Sequence, residues 1–243
     1  MDLKYSKIIL GLLTIILFLA NSCNSKSITG SGNIIKESRL VSGFHKVSIS
    51  GPGHLFISQG NNESLEIECD DNIAPHIRTI VKNGTLEIGP KEATLNPSEP
   101  IRYNLSLKNI NALKTSGSVL VKGGGLRTES LSVVMSGSGK FSLRSLEAQS
   151  ILFDISGSGE IDIESGNSKN QRISISGSGE FSVPNLKSEN IDLTISGSGK
   201  AKVWVTNELN IKISGSGKLY YYGSPIISTS ISGSGKVEGL GPK

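Results

Sequence analysis

Two cysteines, three histidines and one tryptophan are all that 243 residues provide, and aromatic side chains make up only 5% of the chain. Two cysteines cannot build the disulfide framework of a small secreted scaffold. The histidines, His45, His54 and His76, are irregularly spaced and have no cysteine partners, so no zinc site is expected. Charged residues amount to 19% and the net charge is +4, which leaves no basic footprint for nucleic acid and no acidic tail. Apolar residues at helical spacing are scarce, apart from a turn's worth between Ile73 and Val81. No apolar run reaches the roughly 20 residues of a membrane-spanning helix.

The longest apolar run is Ile8 to Ala20, preceded by Lys4 and Lys7 and followed by Asn21-Ser22-Cys23. A charged start, a short apolar core and small residues describe a secretory signal over residues 1–22. The small residues before Cys23 are similar to the lipobox of bacterial lipoproteins, which implies cleavage before Cys23 and a lipid anchor on it. The alternative is an ordinary signal followed by an incidental cysteine. In the lipoprotein reading residues 23–32 are the anchor and a Ser/Gly-rich flexible tether, and the membrane is a partner through the lipid. By the same resemblance, the absence of Asp after Cys23 favours outer-membrane attachment, facing the periplasm or the cell surface. Cys69 alternates with Leu65 and Ile67 and reads as a small buried hydrophobe on a strand.

Glycine and serine together reach 28% of the chain, a fraction that without a period would suggest disorder. Here there is a period. Ser-Gly-Ser-Gly begins at Ser136, Ser156, Ser176, Ser196, Ser214 and Ser232, at spacings of 20, 20, 20, 18 and 18 residues. A degenerate copy starts at Ser116, and Ser50-Gly51-Pro52-Gly53 is a remote relative. Apolar residues stand one and three places before the motifs (Ile155 and Phe153, Ile195 and Leu193), and others follow two and four places after the last Gly (Ile161 and Ile163), the last copy having Thr229 and Gly239 at two of these places. Each motif is therefore a corner between two strands. A charge always follows the corner, at Lys140, Glu160, Glu180, Lys200, Lys218 and Lys236, and that position must face water.

Two architectures accommodate this pattern. A hairpin meander would place the motifs at separate tips, with a three-residue bulged loop needed to keep the charges out. A parallel β-helix, or β-solenoid, with 18–20-residue coils would lay every corner against the next. Only that arrangement explains why the corner is spelled the same way six times, with small residues for close backbone approach and serine hydroxyls available along the ladder. The expected fold is all-β: a single solenoid domain over residues 33–243, with repeats in 111–243 and an irregular β part in 33–110 that caps the amino-terminal end. Asn83-Gly84 in that part signals a hairpin.

The six corners, the stretch Leu219-Tyr220-Tyr221-Tyr222-Gly223-Ser224-Pro225 and the segment Val47 to Ile57 resemble the family described as putative auto-transporter adhesin, head GIN domain. The resemblance spans roughly residues 43–241. It implies a secreted or lipid-anchored β-helical protein of a kind common in Bacteroidetes, and it brings no ligand, cofactor or active site with it.

The corners lack the Asp of calcium-binding glycine-rich repeats, and no glycine-rich loop opens a helix that would cradle phosphate. Asp154, Glu160, Asp162 and Glu164 are the one gathering of carboxylates that a polysaccharide-cleaving enzyme would need, and they equally describe the wet side of a strand. The preferred reading is a non-catalytic binding or structural module of the cell envelope, with glycan or an envelope protein as partner. The enzyme is the alternative. Side-chain alternation turns Tyr221 inward and Tyr220 and Tyr222 outward, and these two with Trp204 are the candidate glycan or partner contacts.

Overall fold

A computed structural model describes residues 26–243, so the signal segment and Cys23 lie outside the described residues. The repeat region is a parallel stack. Its longest strands are bent and run through most of a coil, while others cover one or two sides of it. In order they follow a first set: β1 (Lys26–Thr29), β2 (Ile34–Arg39), β3 (Lys46–Ser50), β4 (Gly53–Gln59), β5 (Ser64–Asp70), β6 (Ile77–Lys82), β7 (Thr85–Pro90), β8 (Ala93–Asn96), β9 (Arg102–Leu107) and β10 (Ala112–Gly117). The stack continues through β11 (Val119–Gly137), β12 (Lys140–Gly157), β13 (Glu160–Ile163), β14 (Gly166–Gly177), β15 (Glu180–Gly197), β16 (Lys200–Gly215), β17 (Lys218–Tyr222), β18 (Ile226–Gly233) and β19 (Lys236–Gly239).

The corners pair residue for residue: Ser116 with Ser136, Ser136 with Ser156, and onward to Ser214 with Ser232, all in parallel register. This excludes the meander, whose neighbouring strands would run antiparallel. The Ser50-Gly51-Pro52-Gly53 corner belongs to the same ladder, because Ser50 pairs with Ser116.

The cross-section follows from which residues are buried. In β12, Phe141 and Leu143 point inward, then Leu146 and Ala148, then Ile151, Phe153 and Ile155. Between those groups two successive residues face outward, at Arg144-Ser145 and again at Gln149-Ser150. A strand that shows two neighbours to solvent has bent, so each coil has three sides with the Ser-Gly motif as its third corner. Inward residues stack along the axis in rows such as Val121, Phe141, Ile161, Phe181, Ala201 and Leu219. Phe153 and Phe181 meet with ring centroids 4.8 Å apart.

The two glycines of the corner do different jobs. The first has a positive φ, +112° at Gly177, and a Cβ there would come within 2.7 Å of the Gly157 carbonyl oxygen in the coil below. The second, Gly179, is buried without a positive φ, and its missing side chain leaves room for the Ile155 Cγ2 and Gly159 carbonyl beneath it. The expectation that serine hydroxyls link the corners is corrected: the links are backbone amides, Ser178 N–H to Gly157 C=O at 2.9 Å and Glu180 N–H to Gly159 C=O at 2.9 Å. Among the described residues no hydroxyl-to-hydroxyl bond joins the corner serines, whose side chains face solvent by alternation with the buried residue before them and the buried second glycine after them.

The amino-terminal end is closed by reversal of strand direction. β5 pairs antiparallel with β2 and β9, and β6 pairs antiparallel with β7, through the Asn83-Gly84 turn in which both residues have positive φ. The opposite end is open: β18 and β19 have partners on one side only, and Ile226, Ile227 and Ile231 are exposed. The turn expected near Ile73 is a 3-10 turn at Ala74–His76.

Residues 26–32, expected to be loose, are held in place. β1 pairs parallel with β8, and Asp70-Asp71-Asn72 clasps the segment that follows. Asp70 accepts hydrogen bonds from Gly32 N–H at 2.8 Å, Ser98 Oγ–H at 2.6 Å and Ser98 N–H at 3.0 Å. Asp71 accepts from the Asn33 side-chain amide at 2.9 Å, and Asn72 donates to the Thr29 carbonyl at 2.8 Å. Burial opposes ionisation of Asp70, but the hydrogen bonds outweigh it and hold the carboxyl below its ordinary range. Cys69, next to it, is a free buried thiol, with its pKa pushed up to about 11 chiefly by desolvation and secondarily by Asp70 and Glu37.

Three outcomes follow. Gly177→Ala should lower the denaturation midpoint by an amount worth about 2 kcal/mol or more, whereas Ser178→Ala should stay within about 0.5 kcal/mol. A group with a depressed folded pKa stabilises above its unfolded value and loses that contribution as pH falls through the folded one. Amide NMR signals of Gly32 and Ser98 should therefore be native at neutral pH and shift only below about pH 4, and Asp70→Asn should shift them at neutral pH. Cys69 should resist thiol reagents in the native protein and react promptly once it is unfolded.

Candidate functional site

Charged residues after the corners form one axial row, Lys140, Glu160, Glu180, Lys200, Lys218 and Lys236, outward-facing in register. At its amino-terminal end Lys140 donates to Glu160 at 2.6 Å, a bond that raises the lysine pKa. Asp162 stands two residues on from Glu160, across from Ser142 and Ser182 on the same open face. Asp154 lies on the side before the corner, between Val134 and Ser174. Glu160, Asp162 and Glu180 share one face, where all three act on Lys140 and Glu160 is bonded to it, whereas Asp154 stands apart on another side of the coil.

The histidines are dispersed. The His45 ring lies beside the Gly84 turn, to whose carbonyl the His45 backbone N–H donates, His54 meets Phe56 edge to face at 6.4 Å, and His76 ends the 3-10 turn. Among the described residues no group of three His, Cys, Asp or Glu side chains is close enough to hold a metal ion.

The aromatics are different, because the fold gathers them. Coils shorten from 20 to 18 residues between β15 and β16, and the register shifts between Ser182 and Lys187 so that Lys187 pairs with Trp204. Trp204 in turn pairs with Tyr222. Tyr220 sits in the adjoining outward row next to Lys202, over a shallow pocket of about 340 Å³ that also involves Lys200 and Leu240. Tyr221 packs on the core beside the buried Leu219, as alternation requires.

Lysines surround this group. Lys187 Nζ lies 5.8 Å from the Trp204 ring centroid and Lys202 Nζ lies 5.6 Å from that of Tyr222. Lys243 Nζ reaches both rings, at 5.2 Å from Trp204 and 4.9 Å from Tyr222, and donates to the Pro184 carbonyl at 2.6 Å and to Asn185. None of these three lysines is in an ion pair among the described residues. Ring faces attract ammonium groups through the aromatic quadrupole. The result is a patch of three partly exposed rings with three lysines beside it that are in no ion pair among the described residues, and with Glu238 opposite Tyr220 at its edge. The sequence indicated Trp204, Tyr220 and Tyr222 but not the three lysines, which become neighbours only once the register shift is known.

Several solved structures share this architecture. A putative adhesin from Bacteroides fragilis superposes with a TM-score of 0.83 at 24% identity, over 88% of this chain and 100% of its own. A putative adhesin from Parabacteroides distasonis gives 0.70 at 24% identity with the same coverages, 88% and 100%. From the same species, a protein described as a putative lipid binding protein gives 0.70 at 26% identity, again over 88% and 100%. No curated protein matches the chain. The family profile described as putative auto-transporter adhesin, head GIN domain, matches residues 43–225, most of the chain including every corner up to Ser214. The chain belongs to that family.

Proposed function

We propose that this protein is a non-catalytic binding module of the cell envelope, anchored by lipid at Cys23, whose aromatic and lysine patch contacts an acidic glycan. The observation that carries the reading is the in-register row Lys187, Trp204 and Tyr222 with Lys202 and Lys243 at its flank. A pyranose ring has an apolar face that stacks on Trp or Tyr, and its carboxylate or sulfate would meet an ammonium group that has no other anion to satisfy it. A rigid stack suits this task, because the patch is built on strands whose positions are fixed by the coils on either side.

The adhesin descriptions of the relatives agree with a surface or envelope location and with binding in place of turnover. A short tether before the clasped residues 26–33 would keep the domain close to the membrane, facing the periplasm or the exterior.

Residues 24–243, purified and screened on a glycan array, should bind uronate-bearing or sulfated chains in preference to neutral ones, and binding should weaken as salt is raised. Trp204→Ala combined with Tyr222→Ala should lower affinity at least about tenfold without changing the circular dichroism spectrum. Unchanged binding in that double variant would remove the patch from consideration. Cys23→Ala should abolish incorporation of a fatty-acid label into the protein, and undiminished labelling of that variant would contradict the lipid anchor.

A further inference from the structure

The row that ends in Trp204 and Tyr222 does not begin there. Followed backwards through the register, it reads Arg127, Glu147, Asn167, Lys187, Trp204 and Tyr222, one residue per coil. Beside its first four members runs a groove of about 870 Å³, walled by Glu147, Asn167 and Lys187 on one flank and by Gln149, Lys169 and Asn207 on the other. It lies on the short side between the bends at Arg144-Ser145 and Gln149-Ser150, where the outward residues Glu147 and Gln149 flank the inward Ala148. Its floor is made of small residues, Ala148 and Ser168, both of which solvent still touches at 9% and 7% exposure.

Below the floor the core is polar, which nothing in the solenoid's packing requires. Ser168 Oγ and Ser188 Oγ are 2.8 Å apart, and the Gln171 side-chain amide donates to Ser188 Oγ. Gln171 stands where the next coil has Ile191 and the previous one Ile151, and its Oε1 is buried without a partner. A hydroxyl network therefore opens into the groove through Ser168 and is one hydrogen-bond partner short on its inner side. Arg127 is neutralised by Glu147 at 2.6 Å, while Lys169 and Lys187 are in no ion pair among the described residues. The lining carries three cations, Arg127, Lys169 and Lys187, against two carboxylates, Glu147 and Glu189, a net charge of +1, and the path continues toward Lys202 and Lys243.

We infer that the groove and the aromatic patch are one binding site, which takes a linear acidic polysaccharide lying parallel to the stack axis. This rests on the glycan reading of the patch and extends it to substrate class and direction. Five coil steps of about 4.8 Å separate Arg127 from Tyr222, so the path is roughly 24 Å long, enough for several sugar units in an extended chain. The amides Gln149, Asn167 and Asn207 suit ring hydroxyls, Lys169 and Lys187 suit carboxylates, Ser168 offers a hydroxyl at the floor, and the rings close the end.

Calorimetric titration with α-1,4-linked galacturonate oligomers, from dimer to octamer, tests this. Affinity should rise with length and level off once the oligomer spans the path. Asn167→Phe places bulk in the groove at an exposed position, so the melting temperature should be unchanged. It should cost the octamer about tenfold or more while sparing the dimer, and Lys169→Glu should act in the same direction. Trp204→Ala with Tyr222→Ala should weaken both lengths. Affinity independent of length, with Asn167→Phe indistinguishable from the parent, overturns the groove and leaves the patch standing. Octamer binding insensitive to loss of Trp204 and Tyr222 overturns the patch reading itself. No binding of any of these oligomers overturns the assignment of a linear uronate.

Discussion

The structure depends on one constraint, the approach of successive backbones at the corner. Each first glycine sits directly over the carbonyl of the one before it, and the amide of the next serine donates to that same oxygen. A Cβ at that point would occupy the space of the hydrogen bond. Because the contact recurs at every coil, a single residue type is enforced along the axis, and the register of everything between corners is set by it. The second glycine adds an inward constraint, since Ile side chains of the neighbouring coil fill the room its absent side chain leaves.

Register, once fixed, turns sequence into rows. Side chains equally placed in successive coils stand about 4.8 Å apart, so one substitution per coil can write a linear surface. The post-corner row uses this for mixed charges, which keep the face soluble. The row from Arg127 to Tyr222 uses it differently, passing from an ion pair through an amide and a lysine to two aromatic rings. A groove beside it and, at its end, three lysines in no ion pair among the described residues give that row the features of a binding surface along the molecule's length.

Much of the fold is legible in the chain. Corners, strand alternation and the outward charge follow from period and burial, and the Asn83-Gly84 hairpin follows from turn chemistry. Three features do not. Which serine groups carry the ladder depends on backbone spacing, which composition does not express. The clasp of residues 26–33 joins Asp70, Asp71 and Asn72 to residues some forty positions away, and a Ser/Gly-rich stretch gives no sign of such partners. The meeting of Lys187 with Trp204 requires knowing that the offset drops from 20 to 17 residues between Ser182 and Lys187, and that one residue is regained between Ser188 and Asn190. Shifted elsewhere, the same sequence would have put the tryptophan in a different row, so the aromatics could be named from sequence but their neighbours could not.

Coil-on-coil stacking of the corners is the claim on which the rows, the groove and the patch all rest, and cysteine cross-linking reads it directly. Serines 158 and 178 occupy equivalent corner positions in adjacent coils and both are exposed. Parallel stacking brings their Cα atoms to about 4.8 Å, inside the range of about 4.4–6.8 Å that a disulfide spans. Ser158→Cys with Ser178→Cys should close an intramolecular disulfide on mild oxidation, and Ser158→Cys with Ser198→Cys, one coil further apart, should not. Failure of the first pair to close in the folded monomer, or equal closure of both pairs, would contradict the stack.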